Sequence, residues 1–392
     1  MQRVAVNQFG DVCSIAEDWS IRLASLKSSE PMDLSSFPLD SDSMTLIKSL
    51  KFSNIEYNSN GTILLLWSDY SIGVIEIPKA LAPDGCLLRN TSKVCNFFFI
   101  AEDYISTKRN NEKILNKASF HPMSPFTVVV LTKNSLLLID VTNPMENRLI
   151  PLGSRHNFRS FCFGQNMDWL KFSIFLLEDK ADRTQIYCLC PVISKGMIVS
   201  RESVNDLWNW VDENEPTWES STASIGGAGQ FSVDSRRLEN DRYIGSVCRS
   251  NPSGMKQLVS NFLTASFGPQ SDIVRGSSSG GGDGGYGESN NWNQKHSSIR
   301  VGEYTSSLTD QGLFAEHEIL LTMCPRLQGP FTLKTPNPPN SSRSSTSQGL
   351  RKHPTDITVP TLRDTGAPVL AVAYSDGDVG FLVLDPVQNE VS

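Results

Sequence analysis

One motif recurs along this chain and constrains its fold more than any compositional total: a β-rich run, a short polar turn and a second β-rich run. It is present five times in 392 residues. Val12 to Ala16 passes through Glu17-Asp18-Trp19-Ser20 into Ile21 to Leu26, and Thr62 to Trp67 passes through Ser68-Asp69-Tyr70-Ser71 into Ile72 to Ile77. Thr127 to Leu131 turns at Thr132-Lys133-Asn134-Ser135 into Leu136 to Val141. Phe172 to Leu177 takes a longer turn, Glu178 to Thr184, into Gln185 to Pro191. The last copy runs from Val369 to Tyr374 through Ser375-Asp376-Gly377-Asp378 to Val379 through Leu384.

Each run is a few residues long and rich in Val, Ile, Leu and aromatics, which suits a strand and is too short for a helix. The turns hold Asp, Asn, Ser and Gly, whose side chains or missing Cβ stabilise tight reversals. Lead-ins precede two of the hairpins: Leu50-Lys51-Phe52 with Asn60-Gly61 before the second, and Ala118-Ser119-Phe120-His121-Pro122 before the third. Each lead-in adds an upstream strand and a turn. The first four copies start about 50, 65 and 45 residues apart, near the roughly 40 to 50 residues of a propeller blade. A lone hairpin cannot bury its apolar faces, whereas radially stacked blades cover each other and leave only short protected edges. The sequence therefore predicts an all-β fold, a seven-bladed β-propeller, as one domain over residues 1–392. Seven blades at that period take roughly 300 residues and leave about 90 for insertions. Unrelated hairpins in a β-sandwich are the alternative that the same runs allow.

The period is lost between Ser200 and Pro368, an interval with room for two or three degenerate blades. Its first part, 200–310, reads as irregular and insertion-rich. Leu207, Trp208, Trp210 and Val211, inside the acidic stretch Glu202 to Glu215, suggest a short helix or an aromatic-bearing loop, and Ser235 to Leu263 suggests partial helix. The Gly/Ser-rich stretch 276–291 and the Pro/Ser-rich stretch 336–348 cannot bury enough apolar surface to offset their ordering entropy, and both are predicted as disordered loops.

Lys plus Arg is 35 and Asp plus Glu is 42, a net charge of −7, which argues against direct nucleic-acid binding by counterion release. The longest apolar stretches, such as Ile63 to Trp67, fall far short of the roughly 18 residues of a spanning helix. Met1 to Gly10 lacks the apolar core of a secretory signal, so a cytoplasmic or nuclear chain is expected, without membrane insertion. The eight cysteines form no CxxC pair; Cys188 and Cys190 alternate along an expected strand, face one side and read as buried thiols.

Several strings imitate catalytic motifs. Gly276-Ser277-Ser278-Ser279-Gly280 is a literal GxSxG, but a nucleophile elbow needs a strand before the serine and a helix after it, and both flanks here are Gly and Ser. His317-Glu318 opens like a zincin motif, yet Leu321 occupies the place of the second His. His121, His156, His296 and His353 lack metal-ligand spacing, and His121 before Pro122 reads as a structural blade-entry residue. The Glu17-Asp18 and Glu178-Asp179 pairs read as solvated turn formers. The sequence thus carries no catalytic, cofactor or metal residues and no small-molecule substrate site. A non-enzymatic binding platform is the expectation, with recognition carried by loops. Trp208, Trp210 and Trp218 are either interface anchors, as Trp often is at hot spots, or local core; no specific interaction residue is assigned.

The blade phrases themselves resemble a known family. Asn54-Ile55-Glu56-Tyr57-Asn58, Gly61-Thr62-Ile63-Leu64-Leu65-Leu66 and Gly73-Val74-Ile75-Glu76-Ile77-Pro78-Lys79 resemble the second blade of the nucleoporin 88 family, whose fungal counterpart is nucleoporin 82. Ile114-Leu115-Asn116-Lys117-Ala118-Ser119-Phe120-His121-Pro122, then Thr127-Val128-Val129-Val130-Leu131-Thr132 and Asn134, are similar to its next blade. Glu316-His317-Glu318-Ile319-Leu320 with Cys324-Pro325 resembles the segment before its closing blade, and Val369 to Leu384 resembles that blade. The resemblance implies an N-terminal propeller at the cytoplasmic face of the nuclear pore complex. It further implies docking of nucleoporin 98 and nucleoporin 214 types, in support of protein and messenger RNP export. Two departures accompany it: no sustained heptad run stands in for the family's C-terminal coiled coil before Ser392, implying a fragment or a different anchorage, and Ser200 to Asp310 matches poorly. A propeller adaptor of another complex, a substrate receptor or a trafficking component, is the alternative function, and an enzyme on a propeller scaffold rests on fold analogy alone.

Overall fold

The short apolar runs form strands, and every strand pairing among the described residues is antiparallel. The computed structural model describes residues 4–6, 11–16, 20–25, 35–50, 52–77, 95–101, 115–144, 147–164, 168–180, 183–224, 259–260, 262–263, 298–301, 325–333, 353–360 and 369–383. The first sheet orders β1 (Val4–Val6), β2 (Asp11–Ile15), β3 (Ile21–Ser25) and β4 (Ser35–Phe37) in sequence. The second does the same with β5 (Asn54–Tyr57), β6 (Ile63–Trp67), β7 (Ile72–Glu76) and β8 (Phe97–Phe99). The third comprises β9 (Leu115–Phe120), β10 (Thr127–Thr132), β11 (Ser135–Asp140) and β12 (Asn147–Pro151). The fourth begins with β13 (Phe158–Phe163), β14 (Ile174–Lys180) and β15 (Arg183–Cys190). It is interrupted by β16 (Ile198–Ser200) and β17 (Ser298–Arg300), a separate two-stranded ribbon, and is completed by β18 (Arg326–Thr332). The fifth sheet holds β19 (Pro354–Thr358), β20 (Val369–Tyr374) and β21 (Val379–Val383).

All five expected hairpins form. Ile15 pairs with Ile21, Trp67 with Ile72, Leu131 with Leu136, and Ala373 with Val379. The fourth hairpin differs in detail, because its strands run on until Lys180 pairs with Arg183. Glu178 and Asp179 therefore sit in β14 rather than in a turn. Pairing continues through them because neighbouring groups satisfy both carboxylates, as described below.

The burial pattern decides between a propeller and a sandwich. A sandwich strand has one wet face and alternates, yet Ile63 to Leu66 and Thr127 to Thr132 are buried at every position. Both faces of these strands are covered. Leu64 and Leu66 meet Ala5, Cys13, Ile15 and Ile21 of the first sheet, while Ile63 and Leu65 meet Ala118, Phe120, Val128 and Val130 of the third. Val129 and Leu131 in turn face Phe161, Ile174 and Leu176 of the fourth. Cys162, Phe175, Leu177 and Ile186 then face Ile357, Leu370 and Val372 of the fifth. The second, third and fourth sheets are thus each packed between two neighbours as blades are, with each fully buried Leu, Ile or Phe contributing roughly 1.5 to 3 kcal/mol. At the ends of the series, Val4 and Val6 on β1 and Val379 and Phe381 on β21 are exposed.

The fourth and fifth sheets are direct neighbours, so among the described residues no further sheet stands between them. The loss of period after Ser200 reflects an insertion within the fourth sheet, between its third and last strands. Leu50 belongs to a helix that the sequence reading did not anticipate, α1 (Ser41–Leu50), and the upstream strand of the second hairpin starts at Asn54. Asp40 caps α1, its Oδ1 accepting from the Asp42 and Ser43 amides at 3.0 and 2.9 Å. The Ser43 hydroxyl donates to Asp40 Oδ2, and this bond, ahead of the two amides, holds the Asp40 carboxyl below its ordinary range.

Candidate functional site

The first strands of successive sheets, β1, β5, β9, β13 and β19, lie side by side. Unlike the strands behind them, β5 alternates polar and apolar residues and β9 mixes them, and the polar side chains bridge from one inner strand to the next. Glu56 of β5 accepts from the Ser119 hydroxyl at 2.7 Å and the Phe120 amide at 3.1 Å, both on β9. Asn116 of β9 donates to the Phe158 carbonyl at 2.6 Å. Lys117 Nζ donates to Ser160 Oγ of β13 at 3.2 Å and to Asp356 Oδ1 of β19 at 2.6 Å, and lies 5.6 Å from the centre of the Phe161 ring. Ser160 donates to the same Asp356 oxygen at 2.5 Å. An inner strand is an edge with unsatisfied backbone groups, and these side chains blunt it while joining four blades.

A second polar cluster closes the far end of β14. Glu178, 1% exposed, accepts from the Asn157 amide at 3.1 Å, with Lys180 Nζ at 3.3 Å and His156 Nδ1 at 3.4 Å. Burial opposes its charge, but the Asn157 amide, Lys180 and His156 outweigh it and keep the carboxyl below its usual range. Asp179 points to the opposite face of β14. It meets Arg159 Nη2 at 3.1 Å and His353 Nδ1 at 3.0 Å, tying the fourth blade to the entry of the fifth. The expectation that these two acids are solvated turn formers is thereby corrected.

The insertion in the fourth sheet carries helix α2 (Arg201–Ser224), longer than the short helix expected from its Trp and Leu residues. Val204, Leu207, Trp210 and Val211 bury against Met197, Val199, Phe262 and Val301. Trp210 stacks on Trp169 at 4.9 Å, and Trp208 packs half-buried on the same cluster. Trp210 is local core. The Trp218 side chain, Glu17-Asp18, the GxSxG string, His296, His317-Glu318, Leu321 and the stretches 276–291 and 336–348 lie outside the described residues, as does most of Ser235 to Leu263.

His121 is buried, accepts from the Met123 amide through Nδ1 at 3.2 Å, and meets the Phe163 ring edge-on at 5.1 Å. Burial pushes its imidazole down to about 3, so the ring is neutral and structural. Cys188 and Cys190 lie on one face of β15 in the core, as their spacing suggested, and burial pushes the Cys188 thiol up to about 12. Among the described residues no group of three or more His, Cys, Asp and Glu could hold a metal ion, and no helix is long and apolar enough to cross a membrane.

Sheets stacked face to face with adjacent first strands define a β-propeller. Neither a protein-family model nor a curated protein matches the chain. Its fold is shared with a chain of the yeast heterotrimeric Nup82-Nup159-Nup116 nucleoporin complex, at a TM-score of 0.53 and 15% identity, over 98% of this chain and 69% of that one. It is shared equally with a chain of the Chaetomium thermophilum heterotrimeric Nup82 NTD-Nup159 TAIL-Nup145N APD complex. There the TM-score is 0.53 and the identity 13%, over 97% and 67% of the two chains. At such identities the likeness is one of fold.

Proposed function

We propose that this chain is a scaffold nucleoporin of the nuclear pore complex whose propeller docks other nucleoporins and supports nucleocytoplasmic transport. The observation that carries this reading is the fold shared along 98% of the chain with a chain of a heterotrimeric nucleoporin complex. The phrases that resemble the nucleoporin 88 family add support, since the structure forms β5 to β7 and β9 to β11 on them. In this reading residues 1–392 act as one propeller at the cytoplasmic face of the pore, and its partners are nucleoporins of the 98 and 214 types. Its −7 charge favours an indirect part in messenger RNP export, through those partners rather than through RNA. The chain's role is to hold rather than to react.

The test is a tagged full-length chain expressed from its own locus, imaged and purified under mild conditions. Rim staining at the nuclear envelope and a purification dominated by nucleoporins are the expected results. Diffuse cytosolic staining, with a purification dominated by a ubiquitin ligase or a trafficking coat, would overturn the proposal in favour of an adaptor of another complex.

A further inference from the structure

The fifth sheet differs from the other four blades in its outer edge. In each of those the third strand pairs antiparallel with a fourth: β3 with β4, β7 with β8, β11 with β12 and β15 with β18. The fifth sheet has three strands, so among the described residues the outer edge of β21 meets no strand. Nothing in β21 blunts that edge, because Val379-Gly380-Phe381-Leu382-Val383 holds neither Pro nor charge. The outer strands of other blades are blunted: β12 ends on Pro151, and β4 and β8 are three residues long. Val379 and Phe381 are also 54% and 64% exposed. They pair with Ala373 and Ala371, on the face opposite to Leu370, Val372 and Leu382, which pack towards the fourth sheet.

The second sheet shows what such an edge accepts. Its third strand reads Ile72-Gly73-Val74-Ile75 where β21 reads Val379-Gly380-Phe381-Leu382, the same order of one apolar residue, glycine and two apolar residues. It receives Phe97-Phe98-Phe99, with Phe99 opposite Gly73, Phe98 opposite Val74 and Phe97 opposite Ile75. Phe97 occupies the space that the missing Cβ of Gly73 leaves. At Gly380 that space is filled from within the sheet, by Tyr374, whose ring lies 3.3 Å from the place of a Cβ. A strand added to β21 in this register therefore sets an apolar side chain opposite the open Phe381 and an aliphatic one, without need of a ring, opposite Leu382. Antiparallel pairing brings its C-terminal end to the turn before β21, where Asp376 and Asp378 are exposed and complement a basic residue.

We propose that the outer edge of β21 docks an extended segment of a partner protein, which adds antiparallel as the fourth strand of the fifth blade and carries alternate apolar residues followed by Lys or Arg. Main-chain hydrogen bonds hold the segment, and Phe381 with Val379 selects its side chains. The inference stands whether or not the partner is a nucleoporin.

The probe is the end-blocked peptide Ser-Val-Phe-Thr-Val-Arg-Arg, fluorescently labelled and titrated with the full chain by anisotropy. Saturable binding is expected. Phe381→Lys, a change at an exposed side chain, should weaken it about tenfold or more, as should N-methylation of two successive peptide residues, one of which must face β21. Replacing both peptide arginines by Gln should weaken it several-fold at low salt. Absence of saturable binding, or unchanged affinity in any of the three comparisons, would sink the proposal. Hydrogen exchange of the chain alone tests the rival occupants. Protection of every amide from Gly380 to Val383 in the monomer would show that the chain covers its own edge, and protection that appears only on dimerisation would assign the edge to a second copy; either result overturns a partner site.

Discussion

Lys117 Nζ and Asp356 Oδ1 stand 2.6 Å apart across 239 positions of sequence, and their contact runs from the third blade to the fifth past Ser160 of the fourth. The two side chains are 25% and 58% exposed, so solvent screens the pair despite its short distance. Asp356→Ala should lower the unfolding free energy by about 1 kcal/mol, with most of that difference gone in 1 M salt. Urea denaturation at low and high sodium chloride measures it, and a loss that salt leaves unchanged would contradict the screened geometry.

Gly73 of β7 lies against β8. A Cβ there would overlap the Phe97 ring and sit 2.8 Å from the Phe98 carbonyl oxygen. The strand cannot simply retreat, because the Phe97 amide donates to Ser43 Oγ of α1 at 2.8 Å. Gly73→Ala should cost about 1 to 3 kcal/mol by overpacking. Combining it with Phe97→Leu should recover part of the loss but not all, since the clash with the backbone oxygen remains; thermal denaturation of the single and double variants reads the difference.

His121 makes the stability of the fold depend on pH. Its folded imidazole is pushed down to about 3 by burial, from an ordinary value of 6.5, so the unfolded chain takes up a proton that the folded chain refuses. Stability should therefore fall as pH drops from about 6.5 towards 3. His121→Gln should be less stable than the parent at pH 7.5 and should lose less than the parent between pH 7.5 and pH 4.5. Denaturant titrations at the two pH values check this, and equal losses would count against it.

Cys13, Cys95, Cys162, Cys188 and Cys190 are all buried, and burial raises every one of these thiols, those of Cys13, Cys95 and Cys188 to about 12. Thiolate is the reactive form. Iodoacetamide at pH 8 should leave these five unlabelled in the native chain and label them once denaturant is added, as peptide mass spectrometry would show. Fast native labelling of Cys188 would contradict its burial in the core between the fourth and fifth sheets.

The hairpins were legible because strand and turn signals are local. Val128-Val129-Val130 and Leu136-Leu137-Leu138 are apolar without alternation, which already calls for cover on both faces, and the polar residues between them permit only a tight reversal. The inner strands carry a further local signal: Asn54-Ile55-Glu56-Tyr57 and Leu115-Asn116-Lys117-Ala118-Ser119 include polar residues where the strands behind them carry unbroken apolar runs. Glu178 and Asp179 were misread because an acidic pair next to Lys180 has the composition of a turn. Its burial depends on Asn157, Arg159 and His353, which come from two other segments.

By itself, the sequence determined the strand pairs, their two-sided burial and hence stacked blades, since apolar period and turn chemistry act over a few residues. Only the tertiary structure decided that Arg326–Thr332 returns to complete the sheet begun at Phe158, that Trp210 is core, and that Glu56, Lys117 and Asp356 join inner strands of different blades. Those outcomes depend on which faces meet after the chain has closed loops of tens to hundreds of residues. No local pattern of residues encodes that meeting.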